Sequence, residues 1–167
     1  MTYIRKKPFE EFFKLFKVNH KRLALISWLI PFFIFLPSLF FDFSYDDFHQ
    51  IHFHDFLKTN EISIESVLFP FFEATFPGDV YRPLTVFSYR INFLLFGLNP
   101  LSYHLFNILL LATVTCLVFL LVREICKNLT LSFLASLWFA INPLRVEVVA
   151  SIVGRAELLS ALFGISS

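Results

Sequence analysis

Glycine and cysteine are scarce in this 167-residue sequence, which contains four glycines and two cysteines. The cysteines, Cys116 and Cys126, lie in or beside an apolar run, and the polar part of the chain has none. This distribution excludes a disulfide framework and a CxxC metal site. The net charge is only +1 and no basic groove is visible, so we expect no nucleic-acid partner.

Charged residues are also few, at 16% of the chain, whereas soluble domains average about 25%. Hydrophobic residues make up 57%, and they are gathered into long blocks. The uncharged block 23–41 would be about 28 Å long as a helix, close to the ~30 Å hydrocarbon core of a bilayer. The sequence therefore predicts an all-α, polytopic membrane helical bundle.

Three complete membrane spans and the start of a fourth are predicted from these blocks, at 23–41, 105–122, 129–144 and 158–167. Basic residues are concentrated in 1–22 and in the short loop 123–128, which places both on the cytoplasmic side. Phenylalanines at helical spacing make 1–22 an amphipathic segment on the membrane face, with a disordered basic tail as the alternative. The last apolar block is too short to cross a bilayer, so we expect an N-terminal fragment of a longer protein.

Two loops are expected on the opposite, extracytoplasmic side, at 42–104 and 145–157. The polar stretch Asp42–Arg82 must lie in water or at the headgroups, because hydrocarbon cannot solvate its carboxylates and histidines. Interfacial helices are predicted at about 63–76 and 83–98. The second is not expected to be a span, because Arg90 falls in its middle.

Asp46 and Asp47 follow the first predicted span directly, at the boundary between membrane and water. A carboxylate there can act as a general base on a hydroxyl acceptor. The alternative is that both aspartates simply solvate a loop outside a helix. Glu147 would emerge on the same side as a second carboxylate, or else as an ion-pair partner for Arg145 or Arg155.

Four arginines are predicted at or near the extracytoplasmic face. A guanidinium fork binds two oxygens at once, which suits a phosphate or pyrophosphate headgroup. The alternative is snorkelling or pairing with nearby carboxylates. The four are Arg82, Arg90, Arg145 and Arg155.

No metal site is predicted. His49, His52, His54 and Asp55 are close together, but their spacing does not match a usual zinc pattern and no thiolates are near. A solvated histidine-rich loop is the better interpretation. No cofactor is firmly implied, and a divalent metal has no support in the ligand pattern.

Several short motifs occur in a characteristic order. They are Tyr45-Asp46-Asp47, Tyr81-Arg82-Pro83-Leu84, Gly97-Leu98-Asn99-Pro100 with His104 and Asn107, and Ile152-Val153-Gly154-Arg155-Ala156-Glu157-Leu158-Leu159. This set resembles the N-terminal membrane half of the transmembrane O-mannosyltransferases with tetratricopeptide repeats and their bacterial relatives. Those proteins belong to the GT-C class of glycosyltransferases, which use a sugar linked to a polyprenyl phosphate.

The resemblance implies a GT-C-like fold and a role for each matched residue. Asp46 or Asp47 would take the proton from a serine or threonine hydroxyl as it attacks the sugar C1, with inversion. Arg82 and Arg155 are the candidates to neutralise the lipid phosphate. Glu147 matches the glutamate of the family's HPxHTE segment and is the third substrate-binding candidate. The implied partners are membrane lipid, a lipid-linked sugar donor, with mannose as the expected sugar, and a protein acceptor.

Two features differ from the family pattern. The HPxHTE segment has Asn142, Arg145 and Val146 in place of its two histidines and its threonine, and Leu111 stands where a histidine is often found in the second span.

The host membrane is expected to be a bacterial inner membrane or the endoplasmic reticulum, with the N-terminus in the cytoplasm. The alternative function is a non-catalytic membrane scaffold or assembly protein. Without the rest of the bundle, the fragment is expected to be inactive.

Overall fold

The structure is a computed structural model that describes residues 19–48, 51 and 82–167. Those residues form helices joined by short turns, with no strand in the described ranges, so the all-α prediction is confirmed there. The α-helices are α1 (His20–Ile34), α2 (Tyr45–Asp47), α3 (Pro83–Phe96), α4 (Pro100–Cys126), α5 (Leu129–Ile141), α6 (Leu144–Ala150) and α7 (Arg155–Ser166). Two 3₁₀ helices occupy Leu36–Phe40 and Ile152–Gly154. The predicted segments 1–22, in most of its length, and 63–76 lie outside the described residues.

The apolar block 23–41 is not one continuous helix. α1 begins at His20, where the Asn19 side chain accepts a hydrogen bond from the Arg22 amide at 3.0 Å. It contains Pro31 and ends before Phe35, and a 3₁₀ helix with Pro37 in its first turn follows. The prolines remove backbone donors from the helical ladder, which accounts for the change of helix type.

α4 is the longest helix and the centre of the bundle. Asn99 caps its N-terminus and Pro100 occupies its first turn, whereas Lys127 ends it in a left-handed conformation with φ 50°. Its 27 residues correspond to about 40 Å.

Among the described residues, α4 is the one helix that is by itself long and apolar enough to cross a bilayer. α5 and α6 meet that criterion jointly, with a bend of 60° at the break between them. The polytopic arrangement therefore stays a prediction.

α1, α5 and α7 all pack against α4. Side-chain hydrogen bonds join the helices at two points, where Ser27 and Ser136 share a hydrogen bond of 2.9 Å and Trp28 Nε1 donates to Thr113 Oγ1 at 3.4 Å. Such contacts are typical of helices packed within a membrane. A buried apolar cluster fills the centre, formed by Phe35, Ile108, Leu111, Val148, Val149 and Leu158.

α3 turns its polar face toward the protein interior. The polar stripe of this helix is largely buried, including Thr85, Tyr89 and Asn92. The apolar stripe faces outward, with Leu84 47% and Leu95 68% exposed. A helix that buries its polar side and exposes its apolar side fits apolar surroundings better than water.

Candidate functional site

The acidic pair lies on α2, a single helical turn that Ser44 caps. Asp47 is fully buried, and its Oδ2 atom accepts hydrogen bonds from the Ser44 amide at 2.9 Å and the Ser44 hydroxyl at 2.7 Å. Its Oδ1 atom accepts from the Val153 amide at 3.1 Å and the Ser151 hydroxyl at 3.3 Å. Both oxygens of Asp47 are therefore occupied, Oδ2 in capping α2 and Oδ1 in joining α2 to the turn before α7.

Asp46 has a different environment from its neighbour. Its side chain is exposed and lines a cavity of about 540 Å³. The sequence left open which of the two aspartates would be the base. The structure separates them, because Asp46 faces open space whereas Asp47 is occupied by protein donors.

Charged residues of both signs surround this cavity, which we call the charged cavity. Its volume falls within the range of ~300–1,000 Å³ that is usual for ligand sites. No ion pair joins these side chains to one another in the part of the chain that the structure describes. They are Asp46, Arg82, Arg145, Glu147 and Glu157. The structure thus brings together Asp46, Arg82 and Glu147 from the predicted site residues.

Arg145 was only one of four candidate arginines in the sequence, and its position beside the cavity is a finding of the structure. Its guanidinium lies over the Phe139 ring, with Cζ 4.1 Å from the ring centroid. Its Nε atom is buried and has no hydrogen-bond partner in the described part of the chain. Glu157 was likewise not predicted as a site residue. The VGRAE match drew attention to the arginine in that motif rather than to the glutamate two residues later.

Arg155 does not line the charged cavity. It is fully buried, and its Nε atom donates to Asn107 Oδ1 at 2.9 Å, while Nη2 donates to Asn92 Oδ1 at 3.2 Å and to the Tyr103 carbonyl at 3.1 Å. The Nη1 atom donates to Ser88 Oγ at 3.4 Å. Every guanidinium nitrogen therefore has a protein acceptor. The assignments of Arg155 to phosphate binding and of Asp47 to catalysis stay predictions that no contact supports.

Buried polar side chains from α3 and α4 fix the turn that carries Val153. The Tyr89 hydroxyl donates to the Ile152 carbonyl at 3.0 Å, and Asn107 Nδ2 donates to the same oxygen at 3.2 Å. Burial raises the pKa of the Tyr89 hydroxyl, so this group stays a neutral donor at physiological pH. This turn, α2 and α3 therefore form one connected polar assembly behind the charged cavity.

Gly154 is required by a close approach of two backbone segments. A Cβ atom at this position would lie 2.3 Å from the Val148 carbonyl oxygen and 2.6 Å from the Val148 Cα. Since α6 and the 3₁₀ turn both line the charged cavity, this contact sets one of its walls.

We expect Gly154→Ala to force these segments apart and to destabilise the protein by more than 2 kcal/mol, on the order of an overpacking penalty at a rigid site. Gly164→Ala is the matched control, because a Cβ atom there would meet nothing within 4 Å. Thermal melts of both variants in detergent provide the measurement. Equal melting temperatures would show that the Gly154 contact relaxes freely.

The charged cavity and the N-terminal part of α1 lie at opposite ends of the bundle. Arg155, next to the cavity, contacts Tyr103 near the start of α4, whereas His20 lines a surface pocket with Lys127 at its end. The 24 residues between those two points of α4 correspond to about 36 Å. If α4 crosses a membrane, Asp46 and His20 face opposite sides of it.

The histidine-rich group that was considered as a metal site lies outside the described residues. It consists of His49, His52, His54 and Asp55. Within the described ranges, no group of three or more histidine, cysteine or acidic side chains is arranged to hold a metal ion.

Comparisons with known proteins give a consistent group of relatives. The chain is 36% identical to human "Protein O-mannosyl-transferase TMTC3" over 155 residues, which is 87% of the chain and 16% of that protein. It is 37% identical to mouse "Protein O-mannosyl-transferase TMTC2" over 149 residues, 83% of the chain and 17% of the relative. It is 43% identical to mouse "Protein O-mannosyl-transferase TMTC1" over 83 residues, 49% of the chain and 9% of the relative. No family model and no solved structure matches the chain.

Proposed function

We propose that this chain carries part of a glycosyltransferase site. The proposal rests on its relationship to the protein O-mannosyl-transferases, which extends through most of the chain's own length. The chain spans 16–17% of the length of TMTC3 and TMTC2. In this proposal, a sugar, mannose by the names of the relatives, moves from a polyprenyl phosphate to a hydroxyl group of a protein. Transfer takes place on the extracytoplasmic side of a multi-pass membrane protein.

The charged cavity is the observation that carries this proposal. It combines Asp46, a carboxylate without a hydrogen-bond or ion-pair partner among the described residues, with the guanidinium groups of Arg82 and Arg145. Sugar transfer from a phosphate to a hydroxyl needs both kinds of group, a base for the hydroxyl proton and a cation for the departing phosphate.

The proposed reaction assigns one role to each residue. Asp46 accepts the proton from the acceptor hydroxyl as its oxygen forms a bond to the sugar C1. The bond between C1 and the phosphate oxygen breaks, and its electron pair leaves with the phosphate. Arg82 neutralises the charge that develops on that phosphate, and attack from the opposite face inverts the anomeric configuration. Glu147 is placed to accept hydrogen bonds from sugar hydroxyls.

Asp47 and the turn before α7 would act as positioning elements. Two hydrogen bonds at Asp47 Oδ1 tie α2 to Ser151 and Val153, and two at Oδ2 cap α2 through Ser44, so the neighbouring Asp46 is held at the edge of the charged cavity. Reacting groups must be held in a productive geometry for transfer to be fast.

The donor class provides a direct test of this function. Membranes containing the intact protein are expected to transfer radiolabelled mannose from polyprenyl-phosphate mannose to protein. When the membranes are depleted of polyprenyl phosphate, a nucleotide-linked mannose should not act as donor. The depletion prevents conversion of the second donor into the first. Transfer directly from the nucleotide-linked sugar in those membranes would contradict the proposed donor.

A further inference from the structure

A second group of charged side chains lines a pocket at the end of the bundle opposite the charged cavity. This pocket has a volume of about 310 Å³ and is called here the basic pocket. Three helices meet at it, because α1 and α5 begin there and α4 ends there. Its lining residues are His20, Arg123, Glu124, Lys127 and Leu129. The proposed sugar transfer uses none of them.

The basic pocket lies where three apolar blocks of the sequence begin or end. Arg123 directly follows the block 105–122, His20 comes shortly before the block 23–41, and Leu129 is the first residue of the predicted span 129–144. If these blocks cross a bilayer, the pocket is at the level of the phospholipid headgroups. The distribution of basic residues predicts that this side of the membrane is the cytoplasmic one.

The cations of the basic pocket are available to an anion. Arg123 is half-buried, and its guanidinium forms no hydrogen bond or ion pair within the described part of the chain. Lys127 pairs with Glu124, but the two side chains are 68% and 75% exposed. Ion pairs between exposed side chains contribute little to stability, so Lys127 can exchange this partner for a ligand.

The helix dipole accounts for these cations only in part. Arg123 and Lys127 stand at the C-terminus of α4, where positive charge interacts favourably with the dipole. That interaction requires neither a cavity nor side chains from other helices. Here His20 of α1 and Leu129 of α5 complete a concave site around the two cations.

We propose that the basic pocket binds the phosphate of an anionic phospholipid in the cytoplasmic leaflet, with Arg123 and Lys127 holding the phosphate oxygens. A guanidinium can donate two parallel hydrogen bonds to a phosphate, and the lysine adds a compact charge on a flexible stem. Anionic lipids are abundant in the cytoplasmic leaflet, and basic pockets between membrane helices on that side suit their headgroups. The bound lipid would tie together the ends of α1, α4 and α5.

Exposed apolar side chains beside the basic pocket favour a lipid over a soluble phosphate. Leu25 on α1 and Leu131 on α5 are 58% and 49% exposed, and each is within two helical turns of a residue that lines the pocket. The acyl chains of a bound lipid can contact such side chains, whereas a soluble phosphate ester gains nothing from them.

Native mass spectrometry of the intact protein in detergent, titrated with phosphatidic acid, tests the proposal. This lipid has a phosphate monoester and no ammonium group, so Glu124 can only repel it. Arg123→Gln is expected to weaken its binding about tenfold, the effect of losing a charge-assisted hydrogen bond. Arg22→Gln is the matched control, because it removes an exposed arginine from the same end of the bundle that does not line the pocket. This control should bind phosphatidic acid normally.

Glu124→Gln is expected to change the affinity in the opposite direction. It removes the carboxylate that repels the phosphate and releases Lys127 from its ion pair, so phosphatidic acid should bind about threefold more tightly. Unfolding cannot produce such a gain, so this variant decides the test even if Arg123→Gln is unstable. Phosphatidylcholine, which has no net charge, should bind equally to all the variants and to the unmodified protein.

Three outcomes would overturn the proposal. The first is normal binding of phosphatidic acid by a folded Arg123→Gln protein, or no gain in Glu124→Gln. The second is an equal loss in Arg22→Gln, which would indicate general attraction to the basic end of the bundle. The third is displacement of the lipid by an equal concentration of glycerol 3-phosphate, which would indicate a site for soluble phosphate esters. None of these measurements involves sugar transfer, so this proposal and the proposed function can fail separately.

Discussion

Replacing Asp46 by asparagine is expected to slow sugar transfer by about 10²- to 10⁴-fold, the usual contribution of a general base, while the protein still folds and inserts. The amide cannot accept the hydroxyl proton. Because Asp46 is exposed and makes no hydrogen bond within the described part of the chain, its loss should not disturb the fold. The measurement is the transfer rate per mole of folded protein in membranes, with polyprenyl-phosphate mannose as donor.

Asp42→Asn is the matched control for this substitution. Asp42 is exposed in the same acidic stretch, and among the described residues its side chain accepts a hydrogen bond from the Phe43 amide at 2.8 Å, which an asparagine oxygen can also accept. This variant should transfer at the normal rate. Full transfer by the Asp46→Asn protein would favour the alternative function, a membrane scaffold whose acidic loop is merely solvated.

Asp47→Asn separates positioning from proton transfer. An amide nitrogen in place of one oxygen cannot accept the hydrogen bonds that Asp47 receives from Ser44 or from Ser151 and Val153. We therefore expect this variant to lose both stability and activity, whereas Asp46→Asn loses activity alone. The Asp46→Asn and Asp47→Asn variants should thus differ in melting temperature, whereas their transfer rates alone would not distinguish them.

Arg155→Met is expected to destabilise the bundle by about 3–5 kcal/mol, because each buried acceptor left without a donor costs about 1–3 kcal/mol. The substitution leaves the oxygens of Asn92, Asn107 and Tyr103 buried without the donors that now satisfy them. It also removes a cation from above the rings of Tyr89 and Phe106, which lie 4.7 and 4.5 Å from Cζ. Thermal melting in detergent and the yield of folded protein measure the effect.

Arg155→Lys and Arg22→Met complete this experiment. Lysine keeps the charge but not the planar fork, so it cannot reach all four acceptors and should recover only part of the lost stability. Arg22 is exposed, and its replacement should change stability by less than about 0.5 kcal/mol. An Arg155→Met protein that melts normally but no longer binds polyprenyl phosphate would return Arg155 to a ligand-binding role.

The sequence was sufficient to predict the helical class of the described residues. Several signals depend only on neighbouring residues, so they can be recognised in the sequence without knowledge of the fold. They are the apolar blocks, Pro83 at a helix start and the helix break at Gly97-Leu98-Asn99-Pro100. Helix ends are harder to predict from the sequence, because α4 extends beyond the apolar block 105–122 to polar residues at its start, including His104, and to charged residues at its end, including Arg123. Capping by Asn99 and the left-handed Lys127 set those ends, and neither follows from hydrophobicity.

The candidate site was predicted only in part. Sequence motifs identified Asp46, Arg82 and Glu147, which the fold brings to one cavity although they are far apart in the chain. The motifs identified Arg155 as well, but they could not show that its hydrogen-bond acceptors lie on α3 and α4, as many as 67 residues away. They also gave no reason to prefer Arg145 among four arginines.

The sequence by itself determined that this chain forms apolar helices flanked by a polar stretch with an acidic pair, because helix propensity and hydrophobicity depend on neighbouring residues. Only the tertiary structure decided which of the charged groups are open to a ligand. Whether a carboxylate or a guanidinium finds a protein partner depends on side chains brought in from distant helices. Asp46 and Asp47 are adjacent in the chain, yet the packing of the turn at Val153 supplies donors to Asp47 and leaves Asp46 facing the charged cavity.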